Sequence, residues 1–407
     1  MSVIEVSQIA KRAMKYSIDT LFSSMPMPQS QKSPEDIIDL SPGDPSVRPY
    51  DFNNVASEEV KMLLRKPETY YCLPETITAA HEYVADLHSA SAFQFKSEDI
   101  FFTQGGEFAL TYAMRMVCLE GDNFIVPNPG YWHLELAGLL YKREKRSYGF
   151  DDQWNIKFEE LESQIDSRTK FILIVSPGNP NCVTYTLKDF QKFTEIAKKH
   201  NLVLISDEIY YGMTFDTKQL HLSPAHVDSD VPVIIMSGLA KTCSVPGFAL
   251  EWLAIKDPAD KIERIRGALQ GLISSFGTGS VFIQNILPAI FNAQKPLAGD
   301  KMTHISNNFE IIKQHMKDVP QIKIMPSTAS MFASLIIQPE FFNENLKDDH
   351  NFCSLLFKEE GLKFGRGTFN GQNNLIRVSL ILNEAEYRDG LPRLIRFIQR
   401  HRKFSNH

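Results

Sequence analysis

The sequence predicts an α/β fold with a mostly parallel central sheet that is flanked by helices. Between about residues 97 and 255, short apolar runs alternate with longer segments that have helical spacing. Strands and helices that alternate in this way form crossover units, and crossover units produce a parallel sheet. The chain has 407 residues, which is more than one hydrophobic core usually serves, so we expect one large and one smaller domain.

Five short apolar segments in this region are predicted as strands. They are Asp99–Thr103, Asn123–Val126, Phe171–Val175, Leu202–Ser206 and Val233–Met236. Each is followed by polar or turn-forming residues, which end a strand. The spacing also predicts a helix that starts after the first strand and continues through Leu119.

A second helix is predicted to begin after Thr186. Thr186 is its expected N-cap, because Asp189 stands three residues later and completes a variant of the capping box. Apolar residues recur along this helix at helical spacing, which predicts one buried face. These residues are Leu187, Phe190, Phe193, Ile196 and Ala197.

Composition and charge exclude several classes of function. The 49 acidic and 43 basic residues give a net charge of −6, which argues against a nucleic-acid partner because nucleic-acid phosphates attract basic surfaces. No apolar run approaches the roughly 18–20 residues that span a bilayer, so no membrane partner is expected. Residues 1–24 lack the apolar core of a secretory signal.

Cysteine and histidine usage predicts neither a disulfide framework nor a metal site. The five cysteines are scattered without a CxxC pair, and the eleven histidines form no HExxH motif. His81 and His88 are seven residues apart and are assigned to an ordinary surface helix. The cysteine usage indicates a reducing compartment, so we expect a cytoplasmic protein.

Polar residues and glycines stand directly after several of the predicted strands. Ligands of parallel sheets bind beyond the carboxyl ends of the strands, which makes these positions candidate site residues. Alone, each has an ordinary explanation as a turn, a helix cap or a solvated side chain. In chain order they are Gly105, Gly106, Glu107, Asn179, Asp207, Tyr210, Ser237 and Lys241.

Taken in order, the segments around these residues resemble the class I/II aminotransferases, which are fold-type I enzymes that use pyridoxal 5′-phosphate (PLP). The resemblance covers about residues 38–400, and its spacing is most similar to tyrosine aminotransferases, followed by alanine-type enzymes. The matching segments are Ser41-Pro42-Gly43-Asp44-Pro45, Pro129-Gly130-Tyr131, Pro177-Gly178-Asn179-Pro180, Ser206-Asp207-Glu208-Ile209-Tyr210, Ser237-Gly238-Leu239-Ala240-Lys241, Val245-Pro246-Gly247-Phe248 and Asn374-Leu375-Ile376-Arg377-Val378.

The resemblance implies a fold-type I PLP-dependent transferase with a large α/β domain and a smaller α+β domain. The large PLP-binding domain would span residues 46–300. Residues 1–45 would form an N-terminal arm and part of the small domain, and residues 301–407 would form the rest of the small domain. The family also implies a homodimer with shared active sites.

The resemblance assigns five residues to the cofactor ring. Lys241 would bond covalently to the cofactor aldehyde and later carry a proton, and burial would lower its pKa. Asp207 would keep the ring nitrogen protonated, so that the ring can act as an electron sink. Tyr210 and Asn179 would donate hydrogen bonds to the phenolic oxygen of the ring, and Tyr131 would lie against the ring face.

The cofactor phosphate would lie at a helix N-terminus, where backbone N–H groups bind anions. Gly105, Gly106 and Glu107 would supply this turn, and Ser237 would supply a hydroxyl group. Tyr71 corresponds to the tyrosine that reaches the phosphate in the neighbouring subunit.

The substrate would be held by three residues that the resemblance assigns. Arg377 corresponds to the arginine that binds the α-carboxylate in a bidentate fork, for which lysine is a poor replacement. Gly43 corresponds to the loop over the substrate, and Asn179 also faces it.

The sequence departs from the family pattern around the phosphate. Ala249 replaces an arginine that clamps the phosphate, and Glu251 replaces a glycine. A phosphate carries about −1.5 to −2 charges near pH 7, and losing one such contact weakens binding by roughly 1.5–3 kcal/mol. Arg48 and Arg366 are candidates to replace the lost charge. Three further departures replace two glycines and a small hydroxyl residue, and they are Cys182, Thr76 and Gln104.

Three functions are consistent with this sequence. The first is a PLP-dependent aminotransferase that moves an amino group from an aromatic or broad neutral amino acid to a 2-oxo acid such as 2-oxoglutarate or pyruvate. The second is another fold-type I PLP enzyme, such as a C–S lyase or an aminocyclopropane carboxylate synthase. The third is a non-catalytic dimer with weakened cofactor binding, which Ala249 and Glu251 favour. The retention of Lys241, Asp207 and Arg377 favours the first.

Overall fold

The computed structural model describes residue 11 and residues 28–47, 79–276 and 279–403. The strands of this part of the chain are β1 (Ile38–Asp39), β2 (Ile100–Thr103), β3 (Asn123–Pro127), β4 (Glu144–Tyr148), β5 (Thr169–Val175), β6 (Val203–Asp207), β7 (Val233–Gly238), β8 (Glu251–Lys256), β9 (Ile322–Ile324), β10 (Phe332–Ile337), β11 (Leu362–Lys363), β12 (Gly365–Arg366) and β13 (Leu375–Ser379).

The α-helices of the described chain flank the sheets. They are α1 (Ala79–His88), α2 (Gly106–Val117), α3 (His133–Leu140), α4 (Phe158–Ser163), α5 (Leu187–His200), α6 (Leu239–Thr242), α7 (Glu263–Phe276), α8 (Val281–Met316), α9 (Asp349–Glu360) and α10 (Glu384–His401). None of the helices in the described ranges is long and apolar enough to cross a membrane.

The central sheet has seven strands in the order β2-β8-β7-β6-β5-β3-β4. Strands β4, β3, β5, β6 and β7 are parallel, and β8 runs antiparallel between β7 and β2. The prediction of a mostly parallel sheet is therefore confirmed, and the five predicted strands are β2, β3, β5, β6 and β7. The sequence analysis did not identify β4 or β8.

Both faces of this sheet are covered by hydrophobic cores. In β5, Ile172 and Ile174 pack into the core on one face, whereas Phe171 and Leu173 pack into the core on the other face. A strand buried on both faces reads as a continuous apolar run, which is why β5 could be predicted. The edge strand β4 carries Glu-Lys-Arg-Ser-Tyr instead, and it had no such signal.

Helix α5 confirms the predicted cap and most of the predicted buried face. The Thr186 hydroxyl accepts a hydrogen bond from the Asp189 N–H at 3.2 Å, and the Asp189 carboxylate accepts one from the Thr186 N–H at 2.8 Å. The buried positions are Phe190, Phe193, Ile196 and Ala197. The assignment of Leu187 to this face was wrong, because it stands in the first turn and is 40% exposed.

A second core lies around a four-stranded sheet with the order β12-β13-β10-β9, next to the strand pair β1–β11. Helix α8 is continuous from Val281 to Met316 and packs against this part of the molecule through its C-terminal half. The predicted boundary at residue 300 lies inside α8, and the division into domains at residues 45 and 300 stays a prediction.

Candidate active site

A cavity of about 460 Å³ opens where the parallel strands of the central sheet end. It brings together residues from eight separate chain segments, most of them at the carboxyl ends of the central strands. The predicted site residues that line it are Gly43, Gly105, Gly106, Glu107, Tyr131, Asn179, Asp207, Tyr210, Lys241 and Arg377. Tyr71 lies outside the described residues, and Ser237 lies behind the cavity wall.

Lys241 is positioned in the short helix α6, directly after β7. Its Nζ donates a hydrogen bond of 2.7 Å to the backbone oxygen of Gly43. Burial lowers the pKa of Lys241, and the nearby carboxylates of Asp44 and Glu107 only partly oppose this effect. A buried amine with a lowered pKa can act as a nucleophile or a base near neutral pH.

The turn that carries Lys241 is held in place by a second, partly buried lysine, Lys301. Lys301 Nζ donates hydrogen bonds to the backbone oxygens of Lys241 at 2.9 Å and Thr242 at 3.2 Å. It also contacts the Ser244 hydroxyl at 2.8 Å. Burial lowers the pKa of Lys301 to about 8. Lys301 therefore supports the position of Lys241 without lining the cavity.

Asp207 is the last residue of β6, and its carboxyl group is buried under the cavity floor. Burial raises the pKa of Asp207 to about 7, although the carboxylate accepts a hydrogen bond from the Ile209 N–H at 3.1 Å. A buried carboxyl group with a raised pKa lacks sufficient compensation for its charge. The Asp207 carboxylate can therefore accept a hydrogen bond from a ligand in the cavity or pair with a cationic group of that ligand.

A buried polar cluster lies behind Asp207 and is centred on Glu208. The Glu208 carboxylate accepts hydrogen bonds from the hydroxyls of Ser206 at 2.8 Å and Ser223 at 2.6 Å, and His221 Nε2 lies 2.7 Å away. His88 Nδ1 is 3.9 Å from the same carboxylate. Burial raises the pKa of Glu208, but His221 and the other neighbours outweigh it and lower the pKa overall. This cluster fixes the chain next to Asp207.

The expectation that His81 and His88 lie on an ordinary surface helix was wrong. Both side chains are buried in α1, with exposed fractions of 9% and 2%. Burial lowers both pKa values to about 4. His88 Nε2 also accepts a hydrogen bond of 3.0 Å from Trp252 Nε1, so it is neutral and structural.

Arg377 lies in β13 and reaches the cavity from the four-stranded sheet. Its Nη1 donates a 3.1 Å hydrogen bond to Asn179 Oδ1, and the guanidinium lies 4.0 Å above the centre of the Phe332 ring. Its Nε has no hydrogen-bond partner among the described residues. Gly43 approaches so closely that a Cβ atom there would be 3.7 Å from Arg377 Nη2. A fixed guanidinium with a free donor is suited to bind a carboxylate.

Two tyrosines form part of the opposite wall. The Tyr131 hydroxyl donates a 3.0 Å hydrogen bond to Glu107 Oε1. Burial raises the pKa of Tyr131 and of Tyr210, so both phenols are neutral near pH 7. Neutral phenols remain hydrogen-bond donors, which is what the predicted roles require.

The end of the cavity at the start of α2 differs most from what the resemblance implied. Glu251 is the first residue of the antiparallel strand β8 and is paired with Thr103 and Gly238. Its carboxyl group is buried, lines the cavity, and lies beside Gly105, where a Cβ atom would be 3.8 Å from Glu251 Oε2. Burial, together with the charge of Glu107, raises the pKa of Glu251 to about 7.

The contribution of Ser237 to phosphate binding stays a prediction. The Ser237 hydroxyl is buried and donates a 3.0 Å hydrogen bond to the backbone oxygen of Glu208. Ala249 lines the cavity at the position of the missing arginine. Arg366 does not line it, because its guanidinium lies 4.8 Å from the centre of the Phe369 ring. Within the described ranges, the cationic side chains that line the cavity are Lys241 and Arg377.

The other departures from the family pattern are at Cys182, Gln104 and Thr76. Cys182 replaces an expected glycine and has a φ of 50°, a left-handed conformation that glycine adopts more easily. Gln104 lines the cavity. Thr76 and Arg48 lie outside the described residues. The sequence analysis missed Phe332 and Trp132 as lining residues, because a single aromatic residue gives no signal of its own.

The fold and this cavity define a transferase of the fold-type I class. The profile of the family described as "Aminotransferase class I and II" matches residues 35–394. The chain belongs to this family of transaminases, which use PLP.

Individual relatives agree with this assignment. Nicotianamine aminotransferase 1 from Oryza sativa is 29% identical over 404 residues, which cover 96% of this chain and 79% of the relative. An S-alkyl-thiohydroximate lyase from Arabidopsis thaliana is 28% identical and covers 90% of this chain and 81% of its own length. The crystal structure of tyrosine aminotransferase from Leishmania infantum has a TM-score of 0.89 at 24% identity, covers 99% of this chain and all of its own, and supports the fold.

The residues that line the cavity fit the ring of PLP but do not fit its phosphate. Asp207 offers a buried acceptor that matches a protonated ring nitrogen, and Tyr210 and Asn179 offer polar groups near the floor. At the other end, the carboxyl groups of Glu107 and Glu251 stand where a dianion would have to bind. Glu107 is exposed, but Glu251 is buried, so repulsion between the charged form of Glu251 and a phosphate dianion would be poorly screened and this end is unsuited to a dianion.

Proposed function

We propose that the protein is an aminotransferase that transfers the amino group of an aromatic or broad neutral amino acid to a 2-oxo acid. One observation carries this proposal, which is that a single cavity holds the Lys241 amine, the Asp207 carboxyl group and the Arg377 guanidinium. These three groups are the reacting amine, the ring acceptor and the substrate anchor of the family. Tyrosine is the first donor to test, because the sequence spacing is most similar to tyrosine aminotransferases.

The geometry supports specific roles for the residues of this chain. Arg377 would bind the α-carboxylate of the substrate, with Asn179 and Phe332 fixing its guanidinium. Lys241 would then be the base nearest to the substrate, because burial lowers its pKa. The hydrogen bond that its N–H donates to Gly43 would hold the amine in place, while the lone pair of the neutral nitrogen is available for the proton. The pyridine ring of the family cofactor, which is the part that this cavity fits, would supply the electron sink for such a reaction.

The same proposal includes the cellular setting and the assembly. We infer a homodimer from the family, in which Tyr71 would reach the neighbouring subunit, and a cytoplasmic location from the scattered cysteines. 2-Oxoglutarate or pyruvate would serve as acceptor. A measurement of native mass in solution tests the dimer.

Two other functions remain as alternatives. A lyase reaction is favoured by the relative from Arabidopsis thaliana, whose name describes a lyase. A non-catalytic dimer is favoured by Ala249 and by the buried carboxyl group of Glu251, which oppose the binding of a phosphate. The product of the reaction distinguishes these functions.

The test supplies the purified protein with tyrosine, 2-oxoglutarate and a saturating amount of either PLP or pyridoxal. Formation of the 2-oxo acid of tyrosine in equal amount to glutamate supports the aminotransferase. Supplied with an S-substituted cysteine in place of tyrosine, a C–S lyase would instead release the thiol, pyruvate and ammonia without forming glutamate. If no product forms with either cofactor in any donor and acceptor combination, the aminotransferase proposal is wrong and the non-catalytic dimer stands.

A further inference from the structure

Glu251 is held at the cavity by its position in the central sheet. Strand β8 runs antiparallel to β2 and β7, so its first residue lies at the edge where the neighbouring strands end. The register places Glu251 between Thr103 and Gly238, both at the carboxyl ends of their strands. The side chain is therefore part of the cavity wall and is held there by the sheet.

The surrounding glycines leave room for this side chain. A Cβ atom at Gly238 would lie 2.1 Å from Glu251 Cγ, and one at Gly106 would lie 4.0 Å from the same atom. A distance of 2.1 Å is far below any real carbon–carbon contact between non-bonded atoms. The Glu251 side chain consequently occupies the space where a side chain at position 238 would lie. Its inward position is therefore built into the packing of the sheet.

One oxygen of this carboxyl group lacks a partner. Glu251 is 2% exposed, and its Oε2 has no hydrogen-bond partner among the described residues. The backbone N–H groups of Ala240 and Gly105 face the carboxyl group and favour its charged form, but burial and the charge of Glu107 act against them more strongly. A buried acceptor without a donor is costly, so a ligand with a donor at this point would be stabilised.

A phosphate dianion is the opposite of such a ligand. It carries about −1.5 to −2 charges near pH 7 and offers mainly acceptors. Position 249 is alanine, and the backbone N–H groups of Gly105 and Ala240 at this end already face the Glu251 carboxyl group. Lys241 and Arg377 line the cavity, but the aldehyde and the substrate carboxylate need them.

We propose that Glu251 makes this site selective for the unphosphorylated ring of the cofactor, with a neutral hydroxyl donor in place of the phosphate. The pyridine ring would lie against Asp207 and Tyr210, and its hydroxymethyl group would face the Glu251 carboxyl group. This inference rests on the proposed function for the orientation of the ring. It concerns which form of the cofactor binds, and it leaves open which amino acid reacts.

Pyridoxamine and pyridoxamine 5′-phosphate are the best probes, because they differ only in the phosphate and cannot bond covalently to Lys241. Trp132 lines the cavity, so its fluorescence reports binding without any turnover. We expect pyridoxamine to bind at least about 10-fold more tightly than its phosphate at pH 8, the ratio that one lost charged contact produces.

Two variants test the role of Glu251 directly. Glu251→Gln keeps the shape and removes the charge, and Glu251→Gly removes the side chain and exposes the backbone N–H groups. Both should tighten binding of pyridoxamine 5′-phosphate by about 10-fold or more, with the larger gain in Glu251→Gly. Glu135→Gln is the matched control, because Glu135 forms an ion pair with Lys145 on the surface, and it should change neither affinity. Circular dichroism confirms that each variant is folded.

The outcomes separate this inference from the proposed function. Equal or tighter binding of pyridoxamine 5′-phosphate by the wild-type protein overturns the inference, and so does a failure of both Glu251 variants to bind it more tightly. Absence of binding of either probe, while transamination with PLP proceeds, also overturns it and leaves the proposed function standing. Preference for pyridoxamine without any transamination supports the inference and removes the proposed function.

Discussion

Lys241 Nζ and the backbone oxygen of Gly43 are joined by a hydrogen bond of 2.7 Å across 198 residues of sequence. The bond ties the loop that contains Gly43 to the end of β7. It also gives the buried amine a partner when the cavity holds no ligand. The position of the amine is therefore coupled to the loop.

Replacement of Lys241 by alanine should abolish transamination. The variant loses the amine and its bond to Gly43, but the side chain supports no core, so we expect circular dichroism like that of the wild-type protein. The rate of 2-oxo acid formation is the measurement, and Lys192→Ala on the exposed face of α5 is the control. Turnover at the wild-type rate in Lys241→Ala would remove this residue from the mechanism.

Replacement of Arg377 by lysine should raise the KM for the amino acid by about 10-fold or more, because lysine cannot form the bidentate fork. The loss of stacking on Phe332 at 4.0 Å adds to this effect. Steady-state kinetics with tyrosine and with tyramine, which lacks the carboxylate, measure the change. We expect the KM for tyrosine to rise and the KM for tyramine to stay unchanged. An equal rise for both compounds would assign Arg377 a purely structural role.

Introduction of arginine at position 249 should strengthen PLP retention, and more strongly when Glu251 is also replaced. Ala249 has a φ of 46°, so arginine meets the same backbone strain as alanine does. In the single variant the new guanidinium can pair with Glu251, which lowers the gain. We expect the Ala249→Arg/Glu251→Gly protein to lose PLP at least about 10-fold more slowly than the wild-type protein. Identical dissociation rates in dialysis would show that another residue already neutralises the phosphate.

Replacement of Gly238 by alanine should destabilise the protein by about 1–3 kcal/mol, because its Cβ would overlap Glu251 Cγ. The double variant Gly238→Ala/Glu251→Gly should regain part of this loss, since contact with the Glu251 Cα at 3.0 Å remains. Gly267→Ala in α7 is the control, because nothing lies within 4 Å of its Cβ position. Urea unfolding measures all three, and strictly additive losses would show that the two positions do not interact.

The raised pKa of Glu251 predicts how stability depends on pH. Its pKa is about 7 in the folded protein against 4.5 as the ordinary value, so the folded state binds the extra proton. Its contribution to stability is present below pH 4.5 and is lost as pH rises through about 7. Between pH 5 and 8.5 the free energy of unfolding of the wild-type protein should fall by about 2–3 kcal/mol relative to that of Glu251→Gln, as urea unfolding can measure. A constant difference between the two proteins would contradict the raised pKa.

Residues at the ends of parallel strands were predictable, because sequence alone shows where such strands end. Asp207 is the last residue of β6, Lys241 follows β7, and both line the cavity. Residues that enter from elsewhere had no comparable signal. Phe332 reaches Arg377 from the four-stranded sheet, and a lone phenylalanine does not reveal its neighbour.

Glu251 shows why the rest could not be predicted. The sequence showed that Glu251 stands where the family has a glycine. Whether its side chain points into the cavity depends on β8 being antiparallel. A crossover pattern predicts parallel strands, and β7 and β8 are connected by a short segment without a long crossover helix. Without that strand direction, the carboxyl group could equally have faced solvent. The alternation of side chains along β8 and the register of β8 with Gly238 place the carboxyl group at the cavity.

The hydrogen bonds from Lys301 give helix α8 a second structural role. The part of α8 from Lys301 to Met316 contains no proline, whereas Pro288 and Pro296 lie earlier in the helix. Its later turns belong to the core of the four-stranded sheet, from which Arg377 extends, and Lys301 connects its middle to the backbone of Lys241. Helix α8 therefore joins the sheet that carries Arg377 to the turn that carries the Lys241 amine.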